Sequence, residues 1–283
     1  MVGYVAPKSL DEVFEALRDA GGDAKILVGG TDLLVGARHG KVDPAAFVDL
    51  KAVRDLPEPI LVTDDRIQIG PTLTMSRLAA DAVVRTEFAG LAEAANVVGS
   101  VAIRNRATLV GNVCNASPAA DTVPALLVHQ ASVTVAGTGG LRTMSLADFF
   151  LGPRLTRCGP EEVVVSLELP RPTGDHGSAF QRLTRRRGVD LASVSVAAFV
   201  DGRGAVRLGM GAVGPTALLA CESDIALDEP DSISAALDRM LESATPISDV
   251  RAGRDYRMAT LRVLANRAIA TAAERRSGRK TPA

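Results

Sequence analysis

Two short segments carry residue types suited to an oxygen-rich ligand. The longer is Ile103-Arg104-Asn105-Arg106-Ala107-Thr108-Leu109-Val110-Gly111-Asn112-Val113-Cys114-Asn115-Ala116-Ser117-Pro118-Ala119-Ala120-Asp121. Gly111 permits backbone close to a ligand, and Asn105, Asn112 and Asn115 offer paired donors and acceptors. Asp121 accepts from hydroxyl groups and stands where it would cap the helix that follows. The same residues also read as an Asn/Gly/Ser connector between two core elements. The shorter segment, Gly29-Gly30-Thr31-Asp32, follows the apolar run Lys25-Ile26-Leu27-Val28 and precedes Leu33, Leu34 and Ala37 at helical spacing. A glycine turn feeding a helix aims free N–H groups and the positive dipole end at one spot, as a pyrophosphate requires. Thr31 adds a hydroxyl. The segment lacks both Gly-x-Gly-x-x-Gly and the Gly-Lys-Ser/Thr of a P-loop, so a plain turn with an N-cap remains a second reading.

The surrounding elements must position these segments. Ser9-Leu10-Asp11-Glu12 is a capping box, and Leu10, Val13, Phe14 and Leu17 recur at helical spacing until Gly21-Gly22. With the strand at Ile26, the helix after Gly30 and a strand at Phe47-Val48-Asp49-Leu50, the first fifty or so residues predict a βαβ unit. Ile60-Leu61-Val62 and Ile67-Gln68-Ile69 predict a hairpin around Asp64-Asp65. Thr74 and Ser76 open a helical region through Leu78, Val83, Phe88, Leu91, Ala95 and Val98, stopped by Gly99-Ser100. A helix from Asp121 to His129 carries Pro124 in its first turn. A second hairpin folds about Gly137-Thr138-Gly139-Gly140, and Val163 to Leu169 adds a strand. Pro170 to Gly177, rich in Pro and Gly, marks a domain boundary. Beyond it come strands at 179–183, 193–199 and 205–210. Two amphipathic helices follow, one through Ile233, Leu237, Met240 and Leu241, the other through Met258, Leu261, Ala265, Ala268 and Ile269. This is an α+β pattern. The polar residues 277–283 predict a disordered tail.

Composition narrows the function. At 283 residues the chain suggests two domains. Lys+Arg at 32 against Asp+Glu at 33 offers no basic field for nucleic acid. Arg182, Arg185, Arg186 and Arg187 are a local exception that reads as a solvated or partner-facing loop. Apolar runs such as Ala192 to Val200 are too short to span a membrane, and the start Met1-Val2-Gly3-Tyr4 is not that of a signal segment, so a cytoplasmic protein is expected. Cys114, Cys158 and Cys221 are too few and too scattered for a four-thiolate cluster, and His39, His129 and His176 lie in no ligand spacing. With 3% aromatics and no Trp, a flat ligand ring would lie mostly on aliphatic side chains.

Taken together, the two segments resemble those of the FAD-binding medium subunit of the molybdenum hydroxylases, the carbon monoxide dehydrogenase and xanthine dehydrogenase family. Ile26-Leu27-Val28-Gly29-Gly30-Thr31-Asp32-Leu33-Leu34 is similar to the family's first flavin loop. Ile103-Arg104-Asn105 leading to Thr108, Gly111-Asn112 and Asp121 is similar to the second. Phe180 to Ala198 and Asp255-Tyr256-Arg257 resemble its C-terminal domain. The resemblance implies a two-subdomain, PCMH-like FAD-binding fold over 1–172 (subdomains about 1–55 and 56–172), then a smaller domain of antiparallel strands and helices over 178–276. It implies FAD contacts from Ile26 to Leu33 on one side and from Ile103, Thr108, Val110, Gly111, Asn112 and Ser117 on the other. Asp121 would hold a sugar or ribityl hydroxyl, Val98 would lie near the isoalloxazine, and Arg182 would take the place of a frequent Lys. Val110 replaces the first of two usual glycines, and Cys158 an aliphatic residue that often covers the flavin. No side chain need act as acid or base, and no metal site is implied here. The implied partners are a small [2Fe–2S] subunit that delivers electrons and a large molybdopterin subunit that oxidises substrate, with NAD, dioxygen or a quinone as acceptor. A flavin-free scaffold in the same assembly is the alternative reading, motivated by Val110.

Overall fold

The computed structural model describes residues 2–186 and 188–278; Arg187 of the arginine cluster and residues 279–283 of the expected tail lie outside them. Ser277 and Gly278 instead close the last helix, donating their N–H groups to the carbonyls of Ala273 and Arg275.

The chain begins β1 (Gly3–Val5), α1 (Leu10–Asp19), β2 (Ala24–Leu27), α2 (Leu33–Arg38) and β3 (Ala46–Asp49), with the strands parallel in the order β1-β3-β2. Ser9 caps α1 by accepting from the Glu12 N–H at 3.3 Å, while the Glu12 carboxylate takes the Lys8 N–H at 2.6 Å. β1 is three residues long and mostly exposed, too short to show a period in sequence.

A second, antiparallel sheet and its helices follow: β4 (Ile60–Val62), β5 (Arg66–Ile69), α3 (Met75–Ala80), α4 (Ala82–Glu87), α5 (Ala89–Asn96), α6 (Val101–Arg104), α7 (Leu109–Cys114), α8 (Thr122–Val128), β6 (Ser132–Gly137), β7 (Gly140–Ser145), α9 (Leu146–Phe149), β8 (Phe150–Gly152), β9 (Leu155–Thr156) and β10 (Val163–Pro170). The strand order is β4-β5-β10-β6-β7, with β8-β9 as a separate small hairpin that the sequence reading did not find. The helical region expected from Thr74 to Val98 is three helices. Asp81, in extended backbone, takes the N–H groups of both Val83 and Val84, which starts α4 immediately behind α3. A bulge in β10 between Val164 and Ser166 reverses the strand's alternation. Val164, Leu167 and Leu169 therefore share the main core, while Val163 and Val165 face the first sheet and pack with Val13, Leu17 and Val48. One strand thus glues two layers together.

The last part contains β11 (His176–Leu183), β12 (Val194–Asp201), β13 (Val206–Gly211), β14 (Leu218–Glu222), α10 (Pro230–Met240) and α11 (Arg254–Arg276), with the strands antiparallel in that order. β14 was missed because it is a half-exposed edge strand with little apolar alternation. Period-2 alternation gives this sheet two buried faces. Val194, Val196, Ala198 and Val200 pack toward α10 and α11, whereas Ala197, Phe199 and Phe180 join the main core. Glycines allow the helices to come close: a Cβ at Gly209 would overlap the Pro124 carbonyl of α8, and one at Gly90 would lie 3.1 Å from the Ala179 backbone.

At this junction His129 is buried between Phe88 and Phe199, with ring centroids 4.8 and 5.3 Å away. Burial, helped by the charges of Arg207 and His176, pushes its imidazole down to about 3 from an ordinary 6.5. The unfolded chain therefore takes up a proton that the folded chain refuses, and stability falls as pH drops below 6.5. The loss between pH 6.5 and 5 should be smaller in His129→Phe than in the wild type by about 2 kcal/mol. Denaturant unfolding at the two pH values measures this difference, and equal losses in both proteins would contradict the assignment.

Candidate functional site

The first segment leaves β2 at Leu27 and turns at Gly30, whose φ of 70° suits glycine. Hydrogen bonding into α2 begins only when the Leu34 N–H reaches the Gly30 carbonyl at 3.0 Å. Among the described residues, no acceptor takes the N–H of Gly29, Gly30, Thr31, Asp32 or Leu33. Behind them stands a cation: Lys51, gripped by both Asp49 oxygens at 2.7 and 2.6 Å, donates to the Val28 carbonyl at 3.3 Å.

The second segment is not the loop read from its polar residues but two short capped helices. Ser100 accepts from the Ile103 N–H at 3.2 Å and heads α6; Thr108 accepts from the Gly111 N–H at 3.1 Å and heads α7. Gly111 and Val110 both hold helical backbone, so no left-handed position explains the glycine. Val110 points into the main core, and its N–H, in the first turn of α7, has no acceptor among the described residues. The Val110 side chain is thus taken up by the main core.

The two segments meet. Gly29 lies directly on the Arg106–Ala107 backbone, where a Cβ would overlap the Arg106 carbonyl oxygen and come within 3.1 Å of the Ala107 Cα. Asn115 donates from its amide to the Asp32 carboxylate and accepts from the Arg154 guanidinium. The Thr122 hydroxyl donates to Asn112 Oδ1 at 2.7 Å, leaving the Asn112 amide nitrogen to donate elsewhere. Ser117 Oγ accepts from the Ala119 N–H at 3.3 Å. Val98 and Ile103 rest partly buried against the main core, and Ile26 and Val28 against the first sheet's core. Leu27 is buried, and Leu33 is half-buried at the start of α2.

Asp121 does not cap α8 with its side chain. Its Oδ2 accepts from Arg182 Nη1 at 2.7 Å, and Oδ1 is buried with no partner among the described residues. Burial pushes this carboxyl up to about 6, against the opposing pull of Arg182. Arg182 reaches it by strand parity: Ser178, Phe180 and Arg182 alternate onto the face of β11 that meets α5, where Ser178 Oγ accepts from the Gly90 N–H at 3.0 Å. Cys158 packs against the core, and burial pushes its thiol up to about 11, so it sits there as a small apolar group rather than a thiolate. The sequence reading assigned no role to Arg154, Lys51 or Thr122. Arg154 and Lys51 are lone basic residues, and Thr122 is an ordinary first-turn residue, so none stands out without the fold.

An anion-sized run of free N–H groups, a buried acceptor lacking a donor, and half-buried aliphatic side chains are the chemical counterparts of a ligand with a pyrophosphate, hydroxyl groups and a flat apolar ring. Residues 1–172 match the family model described as the FAD binding domain in molybdopterin dehydrogenase, and residues 178–272 match the CO dehydrogenase flavoprotein C-terminal domain. This chain belongs to the FAD-binding flavoprotein family of the molybdopterin dehydrogenases. Members of this flavoprotein family are oxidoreductase components, and FAD is the cofactor. Similar curated proteins include the carbon monoxide dehydrogenase medium chain of Hydrogenophaga pseudoflava, 28% identical over 94% of this chain and 95% of that one. The xanthine dehydrogenase FAD-binding subunit of Escherichia coli O157:H7 is 26% identical over 90% of this chain and 91% of its own. Among solved structures, the carbon monoxide dehydrogenase from Hydrogenophaga pseudoflava superposes with a TM-score of 0.89 at 28% identity, covering 97% of this chain and 98% of that chain. Quinoline 2-oxidoreductase from Pseudomonas putida 86 gives 0.86 at 29%, covering 99% and 98%. No helix among the described residues of this flavoprotein is long and apolar enough to cross a membrane.

Gly29→Ala should push the first segment off the Arg106–Ala107 backbone, at a cost of about 1–3 kcal/mol. Thermal unfolding of the apoprotein and an FAD titration check this; wild-type values in both would contradict the backbone contact.

Proposed function

We propose that this flavoprotein is the electron-transfer subunit of a heteromeric molybdopterin-dependent hydroxylase or dehydrogenase. It would receive electrons from [2Fe–2S] clusters of a small partner subunit and pass them to an external acceptor, NAD, dioxygen or a quinone. Substrate would be oxidised in a large molybdopterin-binding partner. The medium-chain relatives, which this chain matches over nearly its whole length, support that division. The observation that carries the cofactor assignment is the run of free N–H groups at Gly29 to Leu33, whose Asp32 is joined to the end of α7 through Asn115.

Bound FAD supplies the redox chemistry; the chain's own work is to hold, orient and shield it. The N–H groups of Gly29, Gly30, Thr31, Asp32 and Leu33, with the Thr31 hydroxyl, would hold the pyrophosphate, and the Lys51–Asp49 pair would steady the Val28 carbonyl that precedes them. The Val110 N–H and the Asn112 amide would donate from the other side, where Thr108 and Gly111 shape the first turn of α7. Asp121 Oδ1 would accept from a ribityl or sugar hydroxyl while Arg182 fixes the carboxylate's orientation. Ile26, Leu27, Val28, Val98 and Ile103 would form the apolar walls, and Ser117 would line the far end. The flavin-free scaffold reading loses its motivation, because Val110 is absorbed by the core.

Purified protein should carry a flavin absorbance band, or gain one when FAD is added; colourless protein that takes up no FAD would overturn the proposal. The pH dependence tests Asp121 itself. A hydroxyl donor favours the ionised carboxylate, so binding to the protonated site must first expel a proton. FAD affinity should weaken as pH falls through about 6, by up to about tenfold per pH unit. In Asp121→Asn that slope should flatten, and an identical pH profile in the variant would remove Asp121 from the contact set.

A further inference from the structure

We infer that Asp32, Asn115 and Arg154 form a latch across the mouth of the cofactor cleft and act as positioning residues for the flavin, an inference that rests on the FAD assignment of the two segments. Asp32 stands at the head of α2, where an aspartate ordinarily caps its own helix. Here its backbone is already helical, with φ of -97° and ψ of -46°, and its carboxylate makes no capping bond. The carboxylate reaches instead to Asn115, at the end of α7. Asn115 uses both ends of its amide, donating to Asp32 and accepting from Arg154.

Arg154 comes from the tight connection between β8 and β9, and its backbone N–H returns to the Ala116 carbonyl at 2.9 Å. Ala116 and Arg154, the two residues joined by this bond, hold φ values of 45° and 62°. These are left-handed positions that non-glycine residues rarely adopt. Strained backbone on both sides of Asn115 marks a place whose position is over-determined by its surroundings. Asp32 and Arg154 are exposed and Asn115 is half-buried, so these polar contacts add little to the stability of the fold. What they fix is a distance. The entry of α2 belongs to the first sheet and the exit of α7 to the second, and the latch ties the two jaws at a set gape. It also engages the carboxylate of Asp32, the acidic side chain of the first segment, with the Asn115 amide rather than with the N–H groups of its own helix.

The test is FAD release from the loaded protein. Asn115→Ala, which cuts both halves of the latch, and Arg154→Ala should each speed FAD dissociation by about tenfold, with the apoprotein's thermal midpoint unchanged. The double variant should release FAD no faster than Asn115→Ala alone, because the three residues act as one unit. Arg154→Lys should recover slow release. Should Arg154→Ala fold poorly, Arg154→Gly, at ease with the same backbone angle, carries the same expectation. Wild-type protein that takes up no FAD would sink the cofactor assignment itself. Wild-type protein that holds FAD, with variants that release it at the wild-type rate or with effects that multiply in the double variant, would overturn the latch alone.

Discussion

Backbone N–H groups must find acceptors, and a segment that leaves five in succession without one constrains everything around it. Water can serve them at a half-open cleft, but a ligand with several anionic oxygens serves them together, and the chain is built to keep that place clear. Gly29 lacks a side chain because the Arg106–Ala107 backbone occupies its space. Asp32 turns its carboxylate toward Asn115. The helix entry beyond it adds a dipole of the right sign, and Lys51, paired with Asp49, holds the Val28 carbonyl that precedes the segment. The proposed anion site would thus rely on backbone N–H groups rather than on a basic field, in keeping with a formal net charge of -1.

The rest of the fold serves the same cleft. The bulge in β10 lets one strand face two cores, so the sheet that carries the second jaw is packed against the sheet that carries the first. The C-terminal sheet is held to α5 and α8 by small residues at close approach and by the buried ring cluster around His129. That docking brings the Arg182 face of β11 onto Asp121. Burial and Arg182 pull the carboxyl in opposite directions, burial wins, and Asp121 is left with a raised proton affinity and one oxygen still to be satisfied. On the proposed function, the orphaned oxygen would accept from a hydroxyl of the same ligand whose phosphates the free N–H groups would hold.

Much of this was legible in the residues. Ser9 and Glu12 announced α1, the run at Ile26 and the glycines announced the first jaw, and alternation announced the central strands of both antiparallel sheets. The second jaw was harder. Its Asn, Gly and Ser residues have low helix propensity, yet Ser100 and Thr108 cap two short helices that tertiary packing sustains. In a loop Val110 would be an anomaly; on α7 it is an inward-facing residue. Arg154 was invisible because its role depends on a turn between two strands of two and three residues, below the length at which periodicity speaks. The pairing of Asp121 with Arg182 joins positions far apart in sequence, and only the docked sheet reveals it.

Amide hydrogen exchange with and without FAD reads directly the N–H groups proposed to hold the cofactor. Addition of FAD should slow exchange most strongly in peptides covering Gly29 to Leu33 and the first turn of α7 at Val110, with little change across α10. Protein that binds FAD while exchange at Gly29 to Leu33 stays at its free rate would contradict the account.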